Sequence, residues 1–175
     1  MAEVVQVMRP ESAAFHPSVA AAQLVTMAGS GDVPVLALFF DPSTPEAAFF
    51  AFRAVALQVG GGDVSVDLTW ASVGTPTGNV VWGAALLAVT PELDANDLIT
   101  GETFASEQTV LDVNLSSPPL RLHRCTVSIP QAATDSLQPN DFVVLRVRRV
   151  ADNVADTLAT DAALVEIAVR YQQAT

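Results

Sequence analysis

The chain has 175 residues, half of them hydrophobic and 15% charged, and its 8 arginines and 19 acids give a formal net charge of −11 without a single lysine. Disordered chains combine low hydrophobicity with dense charge, so this composition predicts one folded domain with a real core. The acid excess argues against nucleic acid and anionic lipid as partners, and no apolar run approaches the roughly 20 residues needed for membrane insertion.

The opening stretch MAEVVQVMRPES lacks a basic region followed by an apolar one, so no signal peptide is expected. Residues 1–32 include PSVAAAQLVTMAG, whose period is too weak to separate a short helix from an extended segment, and they are read as an N-terminal arm. Residues 33–175 form the expected domain, in which Gly, Pro, Asn or Asp recurs every 8 to 15 residues.

VPVLALFF reads as a short buried strand ending at DPSTPE, and AFFAFRAVALQV as a second strand stopped by GGGD. VSVDLTW alternates cleanly, with Val64, Val66, Leu68 and Trp70 on one face. VVWGAALLAV is apolar throughout, as in a strand buried on both faces. TPELDANDLITGET is a polar loop. In TVLDVNL the alternation places Leu111, Val113 and Leu115 inward. PLRLHRCTVSIP changes phase between Leu122 and Cys125, which predicts a β-bulge there. FVVLRVRRV and ALVEIAVRY complete about eight strands, the last with Val165, Ile167, Val169 and Tyr171 on one face. Regularly spaced strands without long amphipathic helices predict an all-β single jelly-roll β-sandwich, with an immunoglobulin-like sandwich as runner-up.

Catalytic chemistry finds little support. A nucleophilic triad would have to draw on His16 or His123, and MAGSGD is no nucleophile elbow. His123 and Cys125 lie two apart, but zinc wants a second such pair. Glu92, Asp94, Asn96, Asp97 and Glu102 offer oxygen donors off the EF-hand spacing, so a solvated acidic loop is the plainer reading. GGGD opens onto a strand, not the helix a phosphate loop requires. No enzyme, cofactor or metal is therefore expected. Trp70, Trp82 and Tyr171 would make a sugar-stacking platform if exposed, yet both tryptophans continue apolar faces, which favours Phe50, Phe52, Trp70 and Trp82 as core aromatics.

Arg146, Arg148 and Arg149 sit within four residues. With Asp152 and Asp156 close behind, they are expected to form structural or interface ion pairs, since Arg prefers bidentate carboxylate partners.

Taken together, TPEAAFFAFRAV, GGGDVSVDLTWASVGTPTGNVVWGAALLAV and LRVRRVADNVADTLATDAALVEIAVRY resemble a family of small proteins encoded among bacteriophage virion genes. The likeness covers residues 35–172, with TGNVVW standing where the family pattern has SGNVVW. It implies a virion structural protein: a single jelly-roll capsid (coat) or capsid-associated subunit, located in the virion, that forms homo-oligomers and binds other virion proteins through loops, edges and the arm. No catalytic residues carry over. The alternative from the residues themselves is a phage tail, fibre or carbohydrate-binding recognition module, for which exposure of Trp70 or Trp82 would speak. A hydrolase with paired carboxylates in a groove is a third reading.

Overall fold

A computed structural model describes residues 3–14, 20–28, 34–55, 62–94, 102–115 and 117–172. Its described residues form ten strands: β1 (Glu3–Met8), β2 (Gln23–Ala28), β3 (Pro34–Phe40), β4 (Glu46–Arg53), β5 (Val64–Ser72), β6 (Asn79–Val89), β7 (Gln108–Val113), β8 (Leu122–Ile129), β9 (Phe142–Arg149) and β10 (Ala162–Gln172). They make two antiparallel sheets. One has the order β2-β3-β10-β5-β8 with β1 also on β10, and the other the order β4-β9-β6-β7. The architecture is the expected jelly-roll sandwich. Its inner faces meet over Leu38, Phe40, Phe50, Leu68, Trp70, Trp82, Leu86, Leu145 and Ile167, among others.

Residues assigned to an arm lie within the sheets. β1 runs antiparallel to β10 from Glu3↔Gln172 to Met8↔Ile167, and β2 pairs with β3 from Gln23↔Phe39 to Ala28↔Pro34. Their sequence signal is weak because both lie at margins of a sheet, where each face stays partly wet. Ala14 then exchanges two backbone hydrogen bonds with Phe49 (2.8 and 3.0 Å), and Ala47 donates to the Ala20 carbonyl (3.0 Å). These bonds occupy part of the open edge of β4, which would otherwise be a template for pairing with another chain.

β5 pairs with β8 in one unbroken register from Val64↔Ile129 to Ala71↔Leu122, so the bulge expected near Leu122 does not form. His123 instead continues the buried parity of Cys125, Val127 and Ile129, and Leu122 faces solvent. The irregularity falls in β10, between Leu164 and Glu166. There one flank of β10 changes partner, from β3 at residues 162–164 to β1 at residues 167–172. The extra residue, Val165, adds local twist where the two neighbours meet.

The parity of β7 is also opposite to expectation. Leu111, Val113 and Leu115 are 46%, 55% and 50% exposed, while Asp112 and Asn114 turn inward. The reason is polar: Asp112 Oδ2 accepts the indole N–H of Trp70 at 2.8 Å, and Asn114 Nδ2 donates to the Pro76 carbonyl at 2.6 Å. A buried indole N–H without an acceptor would cost about 1–3 kcal/mol, a cost that the inward-facing Asp112 removes.

Candidate functional site

β9 sends Val143, Leu145 and Val147 into the core and Arg146 and Arg148 to the opposite face. The neighbours of these arginines are small on one side: Ala85 and Gly83 of β6 stand opposite Arg146 and Arg148. On the other side Phe49 and Ala47 of β4 stand opposite the same two residues. The small residues leave a trough across the outer face of the four-stranded sheet.

Glu107, the residue before β7, lies over that trough. Its Oε2 accepts from Arg148 Nε (2.7 Å) and Arg146 Nη2 (3.2 Å), and its Oε1 accepts from Arg148 Nη2 (2.8 Å). Gly83 makes this possible, since a Cβ there would come within 2.8 Å of Glu107 Cδ. The hydrogen bonds to Glu107 strengthen the hold of the Arg148 guanidinium on its proton, and the charges of Glu107 and Asp152 add to the effect against the pull of burial.

The segment that delivers Glu107 also delivers Phe104, whose ring carries the Arg146 guanidinium at 4.9 Å from its centroid. Phe104 and Phe49 lie 5.8 Å apart, tilted by 44°. Together with Pro45, Glu46, Ala47 and the two arginines they enclose a cleft of about 500 Å³. Within this lining, Glu46 Oε2 accepts the Asp41 amide at 2.8 Å. Burial and the nearby charges of Asp41 and Asp161 push its pKa up, against the Asp41 hydrogen bond and Arg149. The cleft thus offers two phenyl rings and two guanidiniums, each arginine side chain 28% exposed.

Arg149 does not belong to this surface. It shares the inward parity of Val147 and sits in the interior opposite Trp82, with Nε and Nη2 on Asp156 at 3.0 and 2.7 Å. Nη1 donates to the carbonyls of Thr160 (2.7 Å) and Phe40 (3.3 Å), and Nη2 to that of Leu158. Asp156 also accepts the Val81 amide at 3.0 Å. The pair therefore fastens the 150–161 loop to β6 and β9. Asp152 is exposed and makes no ion pair among the described residues. The three arginines that adjoin in sequence split between two places.

Phe50, Trp70 and Trp82 are buried, and Phe52 packs against the same cluster. Trp70 and Trp82 are each 0% exposed and Tyr171 is buried, so none of them forms a platform for a ligand. The rings that reach the cleft are Phe49 and Phe104, neither singled out from sequence. Phe49 had a signal, its parity opposite to Phe50 within β4; Phe104 and Glu107 come from an aperiodic segment and had none. His16, Asn96 and Asp97 lie outside the described residues. Among the described residues, no cluster of three or more His, Cys, Asp or Glu is arranged to hold a metal ion.

No family model and no curated protein matches the chain. Among solved structures, the CBM22-1 xylan-binding domain of Paenibacillus barcinonensis Xyn10C is similar over 95% of this chain and 90% of its own, at 8% identity and a TM-score of 0.52. A family 35 carbohydrate-binding module from an environmental isolate aligns over 97% and 98%, at 12% identity and a TM-score of 0.49. The C-terminal CBM6 of LamC, a marine laminarinase from Zobellia galactanivorans, aligns over 95% and 98%, at 7% identity and a TM-score of 0.44. At these identities the likeness is one of fold.

These neighbours are carbohydrate-binding modules. The likeness to the xylan-binding domain corrects the expected kinship with bacteriophage virion proteins, and with it the capsid or coat role and the virion location. The residues behind that kinship mark the sandwich and not a task. Trp70 and Trp82 are core, and Gly78 of TGNVVW holds φ +129° with its α-carbon so close to the next loop that a Cβ would lie 2.6 Å from the Thr157 carbonyl oxygen.

Proposed function

We propose that the protein is a carbohydrate-binding module: a non-catalytic sandwich that holds a glycan in the cleft on the outer face of its four-stranded sheet. One observation carries this reading. Phe49 and Phe104 stand side by side at 5.8 Å, with Arg146 and Arg148 beside them in a cleft of about 500 Å³. A pyranose has an apolar C–H face and a rim of hydroxyls. Phenyl rings pack against the first, and fixed guanidinium N–H groups donate to the second. The fold shared with the xylan-binding domain supports the same reading.

Affinity electrophoresis and calorimetry against a panel of soluble plant, algal and bacterial polysaccharides test it. At least one polysaccharide should retard the protein, and Phe104→Ala should weaken that binding by roughly tenfold or more, the loss of about 1.4 kcal/mol. Retardation by no polysaccharide, or undiminished binding in both Phe104→Ala and Phe49→Ala, would remove the reading.

A further inference from the structure

Resting on the carbohydrate-binding reading, we infer that the cleft selects glycans in which isolated carboxylated sugars, uronic acids, interrupt an otherwise neutral chain. The argument begins with the ion pairs of the described residues. Arg149 faces Asp156, one to one. Arg124 and Arg170 face Asp67 and Glu3, two to two. Only at Arg146 and Arg148 do cations outnumber the carboxylate they share, Glu107. Arg146, Arg148 and Glu107 together carry one formal positive charge in contact with the cleft, against the single carboxylate of Glu46 in the same lining.

The hydrogen bonds show the same excess. Arg148 gives Nε and Nη2 to Glu107, and Arg146 gives only Nη2. The other N–H groups of both guanidiniums find no protein acceptor among the described residues, and Arg146 Nε is buried without one. Guanidinium forks match carboxylates in charge and geometry. Here they are also held in place, Arg146 by the Phe104 ring at 4.9 Å and Arg148 by its two bonds to Glu107, so little freedom is lost on binding.

Two further charges bound the class of ligand. Glu46 lines the cleft, but its carboxylate is engaged with the Asp41 amide and lies within the influence of Asp41, Asp161 and Arg149. Asp152 adds negative charge on the Arg148 side. A chain of net charge −11 repels a continuous polyanion at long range. A lone carboxylate flanked by neutral sugars meets the arginine pair without that penalty.

The test compares a glucuronic-acid-substituted xylan with the same polymer after chemical reduction of its carboxyl groups, and with polygalacturonate, by calorimetry at low and high salt. The substituted xylan should bind roughly tenfold or more tightly than its reduced form, a preference that shrinks as salt screens the pair. Polygalacturonate should bind more weakly than the substituted xylan. Arg146→Gln and Arg148→Gln, checked for folding by circular dichroism, should lose the preference and bind the substituted and the reduced polymer alike. Equal binding to both xylans, or tightest binding to polygalacturonate, overturns this inference and leaves the carbohydrate reading standing. A preference that survives in both Gln variants removes it from the cleft. If no carbohydrate on the wider panel binds either, the reading of function falls and this inference with it.

Discussion

The Arg149 guanidinium and the Asp156 carboxylate meet edge to edge with both side chains shut away from solvent, 0% and 1% exposed. The pair is held further: three backbone carbonyls accept from Arg149, and the Val81 amide donates to Asp156. Removing one member strands the other as a buried charge. Arg149→Met and Asp156→Ala should each cost about 3–5 kcal/mol in urea unfolding, and the double variant less than the sum. Losses below 1 kcal/mol, on the order of a surface pair, would show that water reaches the pair.

Gly78 offers a backbone test of the turn before β6. Its φ of +129° and the 2.6 Å approach to the Thr157 oxygen leave no place for a methyl group. Gly78→Ala should therefore lower stability by more than about 1 kcal/mol, although alanine elsewhere stiffens the unfolded chain. The same exchange at Gly74, where the nearest atom to a Cβ is 3.9 Å away, meets the positive φ alone and should cost less.

His123 gives stability a pH dependence. Its ring stacks on Trp70 at 4.6 Å and 24°, and Nε2 is buried without a partner among the described residues. Burial pushes its pKa below the ordinary 6.5; Asp112 opposes that shift and Arg121 adds to it. The unfolded chain thus takes up the proton first as pH falls. The neutral ring's contribution is complete above pH 6.5 and fades below it, towards the lower native value. Against a His123→Phe reference, the wild type should lose relative stability between pH 7 and pH 5, about the range where an imidazole titrates. A pH-independent difference between the two proteins would contradict this.

Cys125 is buried on the inner side of β8, and burial together with the charges of Asp112 and Asp67 pushes its thiol up to about 12. Only the thiolate attacks alkylating reagents. Iodoacetamide should leave the native protein unmodified for hours at neutral pH and label it at once in denaturant, as mass spectrometry would read directly.

The edge strand β7 shows what the sequence could and could not reveal. In β5, β8 and β9 the more apolar parity is the buried one, so their faces could be read from alternation. TVLDVNL alternates just as clearly, but alternation names two faces without saying which meets the core. The choice was made by Trp70, 42 residues away, whose indole needs Asp112. Asp112→Ala should cost about 1–3 kcal/mol, whereas Leu111→Thr, on the exposed face, should stay within about 0.5 kcal/mol. The reverse ranking in thermal unfolding would restore the parity that hydrophobicity alone suggests.

The cleft follows the same logic. Arg146 and Arg148 stood out as a cluster, and the nearby acids of their own loop were the natural partners. Their shared partner, Glu107, lies 39 and 41 residues earlier in the chain, admitted by a glycine on a third strand. Neither spacing nor composition carries a relationship of that range. Arg149 differs because its partner is only seven residues on, across one short loop, and that pairing is legible from the sequence.

The antiparallel ladder between β1 and β10 sets Glu3 beside Gln172 and Met8 beside Ile167. Residues 3 and 172 therefore leave the sheet at the same corner. A load applied between them would open the ladder like a zipper, each backbone bond taking the strain in turn, and would not shear all six residue pairs together. Mechanical tethering through these two strands should yield at low force while the opposing sheet stays closed. A ligand-bound cleft on that second sheet would accordingly lie outside the first path of the pull.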